Sequence, residues 1–248
     1  MAVTALIALL ATGCGSTVAR PAPTSDPSGP RTTYVAVGGS DAIGSGTDDP
    51  LLDAWPQQFF RHSLPLTAVF VNAAEPGATV AEAITDQAPL ATSSRATVVT
   101  VWLVSTDLLD GTPASTYGNE LLRLLTTLRG HGATTVLVGN VPPLAQLPGY
   151  PACRSGAARL GRGQPCPATL PAPAVLAASS VAYNQAIAAD AARSGAILVD
   201  LQRGVATAVT DGGPPILDPT GADLSTAGST LVAQAFSGAL PARSGHTA

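Results

Sequence analysis

The chain has 248 residues, a formal net charge of −4, 11% charged residues and 4% aromatics. That length suits one α/β domain with a sizeable core. Every basic residue is arginine and no basic run occurs, which argues against nucleic acid as a partner. Beyond the N-terminus no apolar stretch reaches the roughly 18 residues that a membrane-spanning helix needs.

Ala2 to Ala11 is an apolar stretch of signal-peptide length, followed by Thr12-Gly13-Cys14. Small residues directly before a cysteine resemble a bacterial lipobox, whose cysteine is lipidated. Residues 1–14 are therefore expected to be a lipoprotein-type signal with Cys14 as the lipidation site; an ordinary cleaved signal with an incidental cysteine is the alternative. No Arg or Lys precedes the apolar stretch, a departure from such signals. Residues 15–31, rich in Pro, Ser and Thr, read as a flexible tether. Residues 32–241 are the expected domain and 242–248 a disordered tail. The expected location is outside the cell: lipid-anchored at the outer face of a bacterial membrane, or secreted.

Apolar, β-branched runs predict strands at Tyr34–Val37, Thr67–Asn72, Thr97–Val104, Thr134–Gly139 and Ile197–Leu201, apolar almost throughout as in parallel strands buried on both faces. Helical patterns lie between them, around Leu52–Ser63, Thr79–Ala91, Ser115–Arg129 and Val175–Ser194. A last helix is expected from Thr226 to Ala239, capped by the Ser225 hydroxyl. Gly130, Gly132 and Gly195 supply stops. Strictly alternating strands and helices predict a three-layer α/β/α fold with a five-stranded parallel sheet, its ligand site at the carboxyl ends of the strands.

The first strand runs into Gly38-Gly39-Ser40, an arrangement that can present a nucleophile or simply cap a turn. The segment Leu144–Pro173 is long and irregular. It contains Cys153 and Cys166, for which a disulfide is the simplest use in an exported protein, contributing roughly 3 kcal/mol in chain-entropy terms. No histidine or further cysteine lies near them, so no metal site is expected.

In order and spacing these segments resemble the SGNH/GDSL hydrolases, over nearly all of Thr33 to Leu240. Gly38-Gly39-Ser40 stands where the family has Gly-Asp-Ser. Asn72 to Thr79 is similar to the second block, with Gly77 as its oxyanion glycine. Val104-Ser105-Thr106-Asp107 stands at Gly-x-Asn-Asp, with Thr106 at the asparagine. Asn140-Val141-Pro142-Pro143-Leu144, Tyr183-Asn184-Gln185 and Val199-Asp200 are similar to segments of secreted members. Counting back from Ala227-Gly228 puts Asp223 at the histidine of the final Asp-x-x-His block and Thr220 at its aspartate; Asp218 lies two residues early.

The resemblance implies a flavodoxin-like SGNH fold and acyl transfer without a cofactor. It makes Ser40 the nucleophile, the N–H groups of Ser40 and Gly77 and the side chain of Thr106 the oxyanion donors, and Asp223 and Asp218 the acidic members. Each histidine is expected away from Ser40: His62 at a helix end, His131 in a turn before strand four, His246 in the tail. An aspartate is a weaker base than histidine by roughly 3.5 kcal/mol, a gap that burial narrows. Asp223 could instead cap the last helix. Asp41 and Asp107 are further carboxylates at the same edge, Asp107 as a holder of backbone. Three readings compete: an ester hydrolase acting through Ser40, a non-catalytic descendant binding a glycan or acylated ligand in the same cleft, and a scaffold for an envelope partner, suggested only by the tether and the Cys153–Cys166 loop. A monomer is expected, touching the membrane only through its lipid.

Overall fold

The β-branched runs form β1 (Thr33–Gly38), β2 (Val69–Asn72), β3 (Val98–Trp102), β4 (Thr135–Gly139) and β5 (Ile197–Val199). All four pairings are parallel and the order is β2-β1-β3-β4-β5. The computed structural model describes residues 31–130, 132, 134–147, 149–156, 170–210, 216–218 and 223–241. Cys14, His131, Cys166, Thr220 and His246 lie outside the described residues, as do the expected signal, tether and tail.

β1, β3 and β4 are buried almost throughout, as expected of parallel strands covered on both faces. β2 corrects that expectation: it is an edge strand, with Val69 47% exposed. The helices are α1 (Pro50–Asp53), α2 (Trp55–Ser63), α3 (Val80–Thr85), α4 (Ala88–Ser93), α5 (Ser105–Leu109), α6 (Ala114–Arg129), α7 (Gly149–Arg154), α8 (Pro173–Ser194), α9 (Leu201–Thr210) and α10 (Thr226–Ala239). α3, α4, α6 and α8 pack together, as do α1, α2, α9 and α10. Leu121, Leu124, Leu125 and Leu128 form the buried stripe of α6.

Two expected helices are each broken in two, and proline is the cause. Pro56 and Pro89 lack an N–H, and their rings clash with the carbonyl four residues back, so each opens a new helix instead of continuing one. The third strand stops at Trp102 and the fifth at Val199, and the residues after them turn into α5 and α9, neither of which was expected. Part of the irregular segment 144–173 is also helical: a 3-10 turn at Leu144–Gln146, then α7, in which Cys153 is buried.

The far side of the sheet is fixed by a polar network. Asn140, just past β4, accepts from the Gln202 N–H (2.8 Å) and donates to Asp200 (3.1 Å). Asn184 of α8 accepts from the Val141 N–H (2.7 Å) and donates to the Val141 carbonyl (3.2 Å) and to Gln202 (3.1 Å). Three separate sequence segments thus join where β4, α8 and α9 meet.

Candidate active site

The sheet order places the topological switch between β1 and β3, because β2 lies to one side of β1 and β3 to the other. Ligand sites in such sheets form at the carboxyl ends of the strands flanking the switch. Ser40 follows β1 there, and Thr106 follows β3 as the half-buried second residue of α5.

The chain leaves β1 at Gly38, where a Cβ would lie 2.7 Å from that of Ala42, so only glycine lets the turn close. Ser40 opens a short 3-10 turn, Ser40–Ile43, and its N–H has no acceptor inside that turn. Gly44 closes it with φ of 74°. The Ser40 Oγ accepts a hydrogen bond from the Gly77 N–H at 3.2 Å. Gly77 has φ of 70°, the left-handed region that favours glycine, and that conformation aims its N–H at Ser40.

The loop carrying Gly77 is held on its other side. Thr79 and Glu82 form a reciprocal capping box at the start of α3. The buried Asp107 carboxylate accepts from the Val80 N–H at 2.8 Å. Burial raises the Asp107 pKa, and that hydrogen bond works against the rise. Asp107 is thus the holder of backbone that its place after Thr106 suggested.

Two amides brace the Ser40 turn, and the sequence reading singled out neither. The Gln87 side chain accepts from the Gly38 N–H (2.9 Å) and donates to the Gly38 carbonyl (3.1 Å). The Asn72 side chain donates to the Ala42 carbonyl (2.8 Å) and accepts from the Ala74 N–H (3.2 Å). Gln87 had a signal. Val80, Ala83, Gln87 and Ala91 follow helical spacing and all are buried, so an amide occupies a core position.

Asp218 and Asp223 are brought together by a tight return of the chain. Leu217 bridges Leu224 in antiparallel fashion, the Asp218 N–H donates to the Asp223 carbonyl (2.9 Å), and the Asp223 N–H donates to Asp218 Oδ1 (3.3 Å). The cap of α10 comes from Ser225, whose hydroxyl accepts from the Gly228 N–H at 3.1 Å; Asp223 does not fill that role. This return packs on the loop after Ser40. A Cβ on Gly46 would lie 2.6 Å from the Leu224 carbonyl oxygen, 2.7 Å from the Asp223 Cβ and 3.1 Å from the Asp218 Cβ.

Asp41 meets the same return. Its carboxyl accepts from the Leu224 N–H and lies in the field of Asp223 and Asp218. Burial of the carboxyl, followed by the Asp223 charge, pushes its pKa up to about 7, with the Leu224 hydrogen bond opposing. His62, the one histidine among the described residues, is exposed at the end of α2. It precedes β2, whose Val69 N–H bonds the Thr32 carbonyl at the amino-terminal edge, opposite Ser40. Among the described residues no group of three His, Cys, Asp or Glu side chains is arranged to hold a metal ion.

Comparison with known proteins agrees with this architecture. The chain is similar in fold to a putative SGNH hydrolase from Slackia heliotrinireducens, with TM-score 0.58 and 16% identity over 85% of this chain and 100% of that one. It is similar to the psychrotrophic esterase EstA from Pseudoalteromonas sp., described as inhibited by monoethylphosphonate, with TM-score 0.58 and 13% identity over 84% of this chain and 96% of that one. An extracellular lipase from Streptomyces rimosus gives TM-score 0.56 and 17% identity over 84% of this chain and 100% of that one. No curated protein matches the sequence. Residues 36–231, well over half of the chain, match the GDSL-like lipase/acylhydrolase family, and the chain therefore belongs to that family.

Proposed function

We propose that the protein is a serine ester hydrolase in which Ser40 is the nucleophile and a carboxyl pair, Asp41 and Asp223, takes the part of the family's histidine. The observation that carries this reading is the hydrogen bond from the Gly77 N–H to the Ser40 Oγ, which puts a nucleophile and an oxyanion donor at one point. In the proposed step the Ser40 Oγ attacks the ester carbonyl carbon and its proton passes to an ionised carboxylate of the pair. The carbonyl oxygen becomes an oxyanion held by the N–H groups of Gly77 and Ser40, with the Thr106 hydroxyl as a third donor. The C–O bond to the alcohol then breaks, the proton leaves with the alcohol, and water releases the acid from Ser40 by the same route.

A base works best with a pKa near the working pH, and an isolated aspartate falls well short of that. The Asp41 carboxyl is pushed up to about 7, first by its burial and then by the Asp223 charge. Asp218 positions Asp223 through the backbone. Short-chain p-nitrophenyl esters test the proposal: wild type releases p-nitrophenol and Ser40→Ala does not. Equal rates for the two proteins would overturn it.

One observation favours a second reading, a cleft that binds a glycan or an acylated envelope component without cleaving it. Among the described residues the Ser40 hydroxyl bonds only to Gly77, and no imidazole or carboxylate bonds it. Acyl-glycan binding by calorimetry, together with background ester turnover, is the outcome this reading requires. For either reading we propose an exported monomer anchored through Cys14, with Cys153 and Cys166 paired; residues 2–14, the 15–31 tether and the cysteine spacing support it.

A further inference from the structure

We propose that Gln87 is a positioning residue for the Ser40 site: its buried amide takes the place of a missing β2 residue and fixes the distance between the Ser40 hydroxyl and the Gly77 N–H. The inference rests on Ser40 being the reacting group.

Parallel strands satisfy alternate residues of β1 from β2, and the ladder between them ends at the pair Ala36–Asn72. β2 stops at Asn72, so the N–H of Gly38, two residues further along β1, is left without a strand partner on that side. Gln87 sits at the junction of α3 and α4, 1% exposed, and its amide fills the gap as a peptide group would, with one acceptor and one donor facing Gly38. The Gly38 carbonyl also accepts from the Glu75 N–H at 3.1 Å. One carbonyl, two residues before Ser40, is therefore tied both to Gln87 and to the loop that ends in Gly77. Glu75, Gly77 and Ser40 move as a unit only while Gly38 is held. Asn72 holds the far end of the turn at Ala42 but makes no bond to the Gly77 loop beyond Ala74. Gln87 is the side chain that holds the Gly38 peptide, whose carbonyl ties the Ser40 turn to the Glu75–Gly77 loop.

An amide is required because both a donor and an acceptor are used. Methionine has a similar shape and supplies neither. Glutamate supplies both only as the neutral acid, its O–H donating to the Gly38 carbonyl and its C=O accepting the Gly38 N–H; once ionised it cannot donate.

The test compares wild type, Gln87→Met and Gln87→Glu by ester turnover and by amide proton–nitrogen NMR of the full chain. We expect Gln87→Met to lower kcat by about tenfold to a hundredfold with KM little changed, because small misplacements of reacting groups cost that much. The Gly77 and Ser40 amide signals should shift together in Gln87→Met. In Gln87→Glu both kcat relative to wild type and the Gly77 signal should recover as pH falls through the glutamate's own titration. Unchanged Gly77 and Ser40 signals in folded Gln87→Met would overturn the proposal, as would a loss confined to KM or a Gln87→Glu defect indifferent to pH. If wild type itself turns over no ester, the hydrolase reading fails, and the Gly77 and Ser40 signals still decide for or against Gln87.

Discussion

Ser40 is set by main chain: the Gly38 turn beneath it, the Gly77 N–H beside it and two amides that clamp the backbone on either side. Residue by residue, this makes the proposed oxyanion donors the most sensitive part of the site. A Cβ on Gly77 would meet nothing within 4 Å, yet φ of 70° disfavours any L side chain there. Gly77→Ala should therefore cost about 1–2 kcal/mol in a denaturant melt and lower kcat by more than the stability loss explains. As the proposed third donor, Thr106 has a shorter side chain than asparagine, so Thr106→Asn should raise kcat about tenfold or more, measured with the same p-nitrophenyl ester; a fall would show that the Thr106 position does not face the oxyanion. The places of Ser40, Gly77, Thr106 and Asp107 after their strands were legible in the sequence; the Gly77–Ser40 hydrogen bond and the hold of Asp107 on Val80 are what the structure adds. Gln87 stood at a core position of a helical pattern and Asp41 at the right edge, but what each one touches was not legible. Gly38 and Leu224 lie 49 and 183 residues away from them in the chain.

Among the elements, the return that bears Asp218 and Asp223 depends on how closely it can approach the loop after Ser40. Gly46 permits that approach, and three atoms of the return crowd the place of its Cβ. Gly46→Ala should destabilise the protein by about 1–3 kcal/mol, the usual range for overpacking, and should bring the Asp41 titration toward that of an ordinary carboxylate as Leu224 and Asp223 move off. Both are readable, by urea melts and by carboxyl-carbon NMR; an Asp41 titration left near 7 would contradict this packing. The five strands were legible from their apolar, β-branched runs; burial on both faces accounts for that composition in β1, β3 and β4, while β2 and β5 carry it at the sheet edges. Their ends were less so: β3 runs into α5 through Leu103 and Val104, as apolar as the strand, and β5 into α9 through Asp200 and Leu201, a step too short to mark the change. The split helices could have been anticipated from Pro56 and Pro89, whose steric effect outweighs the apolar periodicity around them.

Over the whole molecule, the carboxyl groups at the switch edge tie stability to pH with a sign opposite to that of most aspartates. An unfolded Asp41 ionises near 3.8, whereas the folded one holds its proton to about 7. Between those values the folded state binds more protons, so stability falls as pH rises through that window and levels off above it. At about 1.4 kcal/mol per unit the loss is at most a few kcal/mol. Asp107, also raised by burial, adds in the same direction. Asp41→Asn keeps an acceptor for the Leu224 N–H and removes the charge, so it should raise Tm more at pH 8 than at pH 5 and should lower ester turnover. An equal Tm change at both pH values would contradict the raised Asp41 titration. The family is visible in the order of segments along the chain, while the reaction depends on whether the Ser40 hydroxyl can still be activated. Mass spectrometry of the full chain after exposure to a fluorophosphonate at neutral pH asks that directly. The account predicts one adduct, on the peptide containing Ser40, absent from Ser40→Ala; an unmodified Ser40 peptide after prolonged exposure would contradict it.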